Sequence, residues 1–247
     1  MNRQIILPDH CRVFMDVFRT AGYQIYLVGG SVRDLLLKKD STNWDLTTNA
    51  TPQNIQKLFD HSIYENTYGT VTIIQKEGDT EMLYEVTPYR KETGYQDFRH
   101  PEKIIWADSI QEDLKRRDFT INAMAYDGTE LIDTEGGIQD LENKMIKAVG
   151  DAQMRFGEDA LRLMRAVRFA CQLDFSIEDK TKEAIKKLSA LLVHVSGERI
   201  RDEFLKILAS DSPDGGVLLL KELGLLDHIL PELVRCFDTP QVSPGRH

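Results

Sequence analysis

The segment Tyr26-Leu-Val-Gly-Gly-Ser-Val-Arg-Asp34 constrains this chain most. A short apolar run ends in two glycines, and a helix-compatible stretch comes at once after them. Gly29 and Gly30 lack Cβ atoms, so a phosphate can come close to their backbone amides. A helix starting near Ser31 adds its positive end. Arg33 can fork onto a phosphate or brace the turn against a carboxylate. Most Gly-Gly pairs are plain turns, so this one gains meaning only from the residues downstream of it.

Nine residues beyond Asp34 stands Asn43-Trp44-Asp45. On a strand, positions i and i+2 point the same way, so Asn43 and Asp45 share a face. Two carboxylates at this spacing can hold two Mg²⁺ ions, one activating an attacking hydroxyl and one neutralising a leaving pyrophosphate. Here the first position is an amide, and Asp40 lies out of register with it. Glu85 is the candidate third ligand. In Leu83-Tyr-Glu-Val-Thr87 it shares a face with Leu83 and Thr87. Exposure on an edge strand is the plain alternative for Glu85.

Hydrophobic periodicity supplies the frame. It predicts a helix over Cys11–Ala21 with Val13, Phe14, Val17 and Phe18 inward, and strands at Gln24–Val28 and Trp44–Thr47. A helix over Pro52–Phe59 has Thr51 as N-cap. Strands at Thr70–Gln75 and Met82–Pro88 pair antiparallel across a turn at Glu77-Gly78-Asp79. Lys91–Pro101 reads as a long mobile loop. Gly136-Gly137 marks a turn, and Asp140–Val149 returns to the sheet or forms a short helix. From Asp151 onward the chain reads as all-α, with helices over Glu158–Cys171, Asp179–Leu188, Gly197–Ala209 and Gly215–Leu223.

Three further clusters carry chemistry. In Arg116-Arg117-Asp118-Phe-Thr-Ile-Asn122, the arginines suit a triphosphate and the aspartate a ribose hydroxyl; a solvated helix face is the alternative. In Glu158-Asp159-Ala-Leu-Arg162, a single helix would set Asp159 beside Arg162. A carboxylate accepts from an exocyclic amine and a guanidinium donates to ring acceptors. Such a pair suits the Watson–Crick edges of cytosine and adenine and rejects guanine and uracil. A surface ion pair is the alternative. The helix containing Glu198-Arg199-Ile-Arg201-Asp-Glu203 reads as mainly structural, with Ile200, Phe204, Ile207 and Leu208 inward and a basic edge.

Bulk properties set limits. The 247 residues suffice for one large or two modest cores. No apolar run reaches the roughly 18 residues of a membrane span, and the start lacks a signal-peptide pattern, which suggests a cytoplasmic protein. Cys11, Cys171 and Cys236 are widely spaced and read as buried thiols. The net charge of −9 disfavours a long-duplex binder. Local basic clusters at Lys38-Lys39, Lys115-Arg117, Arg162/Arg165/Arg168 and Arg199/Arg201 suit a nucleotide or an RNA end.

In order along the chain, GGSVRDLLL, NWDLTT with Ala50-Thr51-Pro52, KRRDFTINAMAYD, GEDALRLMRAVRFA and SGERIRDEFLKIL resemble one family. It is that of the class II tRNA nucleotidyltransferases, or CCA-adding enzymes, with the related bacterial poly(A) polymerases. The resemblance runs from about Tyr26 to Pro231. It implies an α+β fold: a polymerase-β-type head, a mixed sheet with helices, over residues 1–147. An all-α neck and the start of a body would occupy 148–247, without the tail. The implied reaction is template-independent addition of C and A to the 3′ end of tRNA from CTP and ATP, with pyrophosphate released. In this reading Gly29, Gly30, Ser31 and Arg33 hold phosphates. Asp45, Asn43 and Glu85 are the catalytic, metal-binding set. Arg116, Arg117, Asp118 and Asn122 contact the nucleotide, with Asp159, Arg162 and Arg165 on the base side. The family uses two Mg²⁺ ions; with Asn43 in place of aspartate the second loses its bridging carboxylate, and activity should fall. The Lys91–Pro101 stretch resembles the family's flexible element linked to the switch from C to A addition. A poly(A) polymerase and an inactive nucleotide or RNA-end binding module are the alternatives.

Overall fold

The computed structural model describes residues 5–65, 69–77, 80–95, 101–107, 109–237 and 239. Its elements fall into two compact units: residues 1–94, 101–143 and 147–150, and residues 95–100, 144–146 and 151–247.

The first unit contains α1 (Asp9–Thr20), β1 (Ile25–Val28), α2 (Gly30–Leu36), β2 (Asn43–Thr48), α3 (Pro52–Leu58), β3 (Ser62–Glu65), β4 (Thr70–Glu77) and β5 (Thr80–Pro88). It continues through β6 (Arg90–Tyr95), β7 (Pro101–Trp106), α4 (Ile110–Lys115), β8 (Met124–Tyr126), β9 (Leu131–Asp133) and α5 (Gly137–Glu142). Seven strands form one sheet in the order β3-β4-β5-β2-β1-β8-β9. β2 and β5 run parallel and the remaining neighbours antiparallel, so the sheet is mixed as expected.

One sheet face is covered by aromatic packing. α1 buries Cys11, Phe14, Met15 and Phe18, an i, i+3, i+4, i+7 stripe. The Phe14 ring stacks on Tyr84 at 3.9 Å and on Phe59 at 4.9 Å. Trp44 and Tyr84 lie on this covered side, and their neighbours Asn43, Asp45 and Glu85 therefore emerge on the other. Val13, expected inward, is exposed because Cys11 and Met15 complete the stripe instead. Thr51 caps α3 as expected, its Oγ1 accepting from the amide of Asn54 at 3.3 Å.

The segment expected to be a loop is different in its described parts. β6 and β7 pair as a two-stranded sheet, and the amide of Ala107 donates to the carbonyl of Tyr89 at 2.8 Å. Polar composition hid this, because a strand pair outside the main sheet need not show apolar alternation. Residues 96–100 lie outside the described residues, as do Gly78 and Asp79.

The second unit holds β10 (Met145–Ile146), α6 (Ala152–Glu158), α7 (Arg162–Leu173), β11 (Ser176–Ile177), α8 (Asp179–Leu188), α9 (Gly197–Leu208), α10 (Pro213–Glu222), α11 (Leu226–Ile229) and α12 (Pro231–Cys236). It is helical except for β10 and β11, a minimal parallel pair that corrects the all-α expectation. The helix expected over Glu158–Cys171 begins only at Arg162, and Glu158 is the last residue of α6. Asp159 adopts an extended φ of −140° and ψ of 106°, and its Oδ1 accepts from the amide of Leu161 at 3.1 Å. An aspartate that captures a nearby backbone amide competes with helix continuation.

α9 also departs from its expected pattern. Leu208 is exposed, while Glu203 is 3% exposed. Glu203 is held by Arg168 at 2.8 Å and Lys206 at 3.1 Å. Among the cysteines, Cys11 and Cys171 are buried as expected and Cys236 is exposed. Among the described residues no helix is long and apolar enough to cross a membrane.

Candidate active site

The glycine turn is built for close approach. Gly29 has φ 62° and ψ −132°, a conformation open to glycine and strained for other residues. A Cβ placed there would sit 2.9 Å from Nη1 of Arg117 and 3.6 Å from Oδ2 of Asp45. The turn, Arg117 and Asp45 therefore meet at one place. Ser31 is buried. The β1–β2 pairing ends at Leu27↔Leu46, and Ser31 Oγ accepts from the next amide, that of Asp45, at 2.8 Å. This bond locks α2 to the strand that carries the acidic site.

Asp45 and Glu85 are register partners on the parallel strands β2 and β5, and Asn43 pairs with Leu83. All three polar side chains are exposed on the open face. Glu85 does not lie on an edge strand, since β4 and β2 flank β5. Its exposure comes from the open part of that face beside Asn43 and Asp45, which closes by Thr47. Two carboxylates and one amide oxygen form a hard-oxygen donor set that suits one divalent cation. Among the described residues no group of three Asp, Glu, His or Cys side chains is placed to hold a metal.

Arginine geometry divides into bracing and presentation. Arg33 donates from Nε and Nη2 to Asp34, both at 2.9 Å, and from Nη1 to Oδ1 of Asn122 at 2.7 Å. It braces the turn. Asn122 in turn donates to Oδ1 of Asp118 at 3.2 Å, which also accepts from the amide of Phe119 at 2.8 Å. Arg33, Asn122 and Asp118 thus form one buried relay. The relay rests on a 3₁₀ turn, Thr120–Asn122. Gly137 lets α5 reach that turn, for a Cβ there would collide with the Thr120 carbonyl oxygen.

Arg116 and Arg117 follow α4 and are not a solvated helix face. Both converge on Asp113, which is fully buried. Arg116 donates to Oδ1 from Nε at 2.9 Å and Nη2 at 2.7 Å, and Arg117 Nη2 donates to Oδ2 at 3.0 Å. Burial pushes the Asp113 pKa up, but Arg116 and then Arg117 outweigh it and bring it down to about 2. Sequence reasoning passed over Asp113. The available signal was its i+3 and i+4 relation to the two arginines.

In the second unit Asp159 and Arg162 are not paired with each other. Asp159 accepts from Arg199 Nη2 at 3.0 and 3.3 Å. Arg162 Nη1 donates to Glu158 Oε2 at 2.6 Å and to the carbonyl of Arg155 at 2.8 Å. The helix break at Asp159 is the reason, since the i,i+3 geometry needs an unbroken helix. Arg199, read as an edge residue, is therefore the partner of a candidate base-reading carboxylate. Arg165 lies over the Phe169 ring at 5.3 Å. The expected basic clusters are largely balanced inside each unit by Asp113, Glu158, Asp159, Asp202 and Glu203.

The mixed sheet, the glycine turn beside Asp45 and the arginines at its rim fit a class of α+β heads that present backbone amides and guanidinium groups to an anionic ligand. Comparison with known proteins narrows it. The sequence profile of the poly A polymerase head domain matches residues 25–147, and that of the "Probable RNA and SrmB- binding site of polymerase A" matches residues 174–236. A CCA-adding enzyme of Lactobacillus helveticus is 48% identical over 206 residues, covering 81% of this chain and 51% of that protein. The crystal structure of the Bacillus stearothermophilus CCA-adding enzyme in complex with CTP superposes with a TM-score of 0.80 at 37% identity, covering 89% of this chain and 53% of that one. A Thermotoga maritima CCA-adding enzyme complexed with tRNA gives 0.74 at 25% identity, over 93% of this chain and 54% of that one. The chain belongs to this family of tRNA nucleotidyltransferases and poly(A) polymerases. It spans about half the length of the curated relatives it matches.

Proposed function

We propose that this chain carries the nucleotide-binding and catalytic part of an enzyme that adds C and A to the 3′ end of tRNA from CTP and ATP. The observation that carries the proposal is the convergence of the Gly29 turn, Arg117 Nη1 and Asp45 Oδ2 within a few ångströms. A glycine turn and a guanidinium beside an acidic face support transfer at an α-phosphorus, which needs anion-binding groups next to the acidic side chains. The RNA 3′-oxygen would bond to that phosphorus as the bond to the β-phosphate breaks, and pyrophosphate would leave. The amides of Gly29 and Gly30, with Arg116 and Arg117, would hold the triphosphate. Arg33 and Ser31 would fix the turn, and Asp118, oriented by Asn122, would meet the ribose.

Asp45, Glu85 and Asn43 would hold Mg²⁺, which lowers the pKa of an attacking hydroxyl and neutralises phosphate charge. Asp159 and Arg162 are an acceptor and a donor matched to the edges of cytosine and adenine, the chemistry that base choice needs. The named relatives support this reading, as CCA-adding enzymes with CTP or tRNA bound.

The amide at Asn43 favours a second reading, a module that binds nucleotide without turnover. Restoring the carboxylate separates the two. With tRNA lacking its terminal CCA, Asn43→Asp should raise CMP transfer about 100-fold or more, on the several kcal/mol expected of such a ligand. If Asn43→Asp binds CTP but transfers neither CMP nor AMP, the binding module is the better account. Transfer of AMP alone points to a poly(A) polymerase.

A further inference from the structure

We propose that Asp113 is a positioning residue for nucleotide binding: it aims Arg117 at the Gly29 turn and so acts on the phosphates without touching them. The inference rests on the proposed function above and assigns it a residue that the motif pattern leaves out.

Consecutive residues at a helix end diverge by about 100° around the axis. Arg116 and Arg117 would therefore point apart. They converge because one carboxylate, three and four residues earlier, takes both. Each of its oxygens has its own arginine, with bonds of 2.7 to 3.0 Å. Oδ1 also lies 3.4 Å from the amide of Arg90, which fixes the carboxylate from the adjoining strand β6.

With Nη2 of Arg117 on Asp113, Nη1 is turned to the glycine turn, 2.9 Å from where a Gly29 Cβ would stand. Arg33 is the contrast. Its nitrogens are bonded to Asp34 and Asn122, so it braces the turn from beneath. A buried charge triad is often no more stabilising than well-packed apolar side chains. What it supplies here is orientation. An arginine held in place before the ligand arrives loses little freedom on binding.

The test is a double-mutant cycle read by equilibrium binding of CTP to the whole chain, with no need for turnover. Asp113→Asn should weaken CTP binding about 10- to 50-fold, and Arg117→Ala by a similar factor or more. The double variant should fall well short of the product of the two single losses, because Asp113 acts largely through that side chain and otherwise through Arg116. Circular dichroism and thermal melts check the fold. If Asp113→Asn does not fold, Asp113→Glu keeps the charge, moves it by one methylene and should still weaken binding several-fold. Parental affinity in the folded variant, or losses that multiply in the double variant, overturns the inference and leaves the proposed function standing. Failure of the parent chain to bind CTP overturns both.

Discussion

Gly29→Ala tests the phosphate turn most directly. The backbone there holds φ 62° and ψ −132°, and a non-glycine residue in such a region costs about 1–3 kcal/mol. The new methyl would also stand 2.9 Å from Arg117 Nη1. Real Cβ atoms do not approach so closely, so the guanidinium must swing away from the turn. One charge-assisted contact to the phosphates is then lost, worth about 1.5–3 kcal/mol. That corresponds to CTP binding about 10- to 150-fold weaker.

Gly30→Ala is the internal control. A Cβ at Gly30 meets Arg33 Nη2 at 3.4 Å and Asp45 Oδ2 at 3.8 Å, with no positive φ. Alanine is also the better helix former by up to about 1 kcal/mol. Urea unfolding followed by circular dichroism gives the stability difference, and calorimetric titration gives CTP affinity. Gly29→Ala should be the less stable variant by about 1–3 kcal/mol and the much weaker binder. If the two variants match in both measurements, the backbone of the turn is not what shapes the site.

Buried charge gives two further outcomes. Glu203→Ala removes a buried carboxylate that lies 2.8 Å from Arg168, which should cost about 3–5 kcal/mol in urea unfolding; a loss below about 1 kcal/mol would place that pair in the surface class instead. Asp113 has a folded pKa of about 2 against the ordinary aspartate value of 3.8. Its contribution is therefore complete above the unfolded value and is lost as pH falls from about 4 through about 2, by about 2 kcal/mol in total. Comparing parent and Asp113→Asn stability from pH 5 to pH 2 reads this directly, and parallel acid profiles would show that Asp113 carries no such linkage.

Much of the first unit was legible because its signals are local. Gly-Gly before a helix, Thr51 before Pro52, and alternation in β4 and β5 each specify a conformation within a few residues. The acidic face was legible because strand periodicity ties Asn43 to Asp45. The exposure of Glu85 on an interior strand was not, since the strand order is a long-range property. Burial of Glu203 was missed for a related reason: a charged residue reads as outward until its partner Arg168 on another helix is known. Asp159 misled differently. Its spacing to Arg162 fits one helix, yet its extended backbone and its bond to the Leu161 amide leave it outside the helix that carries Arg162.

The amino-acid sequence alone determined which groups this protein brings to its chemistry: a glycine pair ahead of a helix, a polar strand with an amide two residues before an aspartate, paired arginines, and a helical second half. Residue type and short spacing suffice for that. Tertiary structure alone decided how those groups are used. It set Asp45 beside the Gly29 turn and paired it with Glu85, joined Arg33 to Asp118 through Asn122, and gave Arg116 and Arg117 a shared buried anchor in Asp113. It also separated Asp159 from Arg162 and gave it to Arg199. Which charges meet depends on sheet order, helix ends and burial, and these are fixed only when distant segments pack.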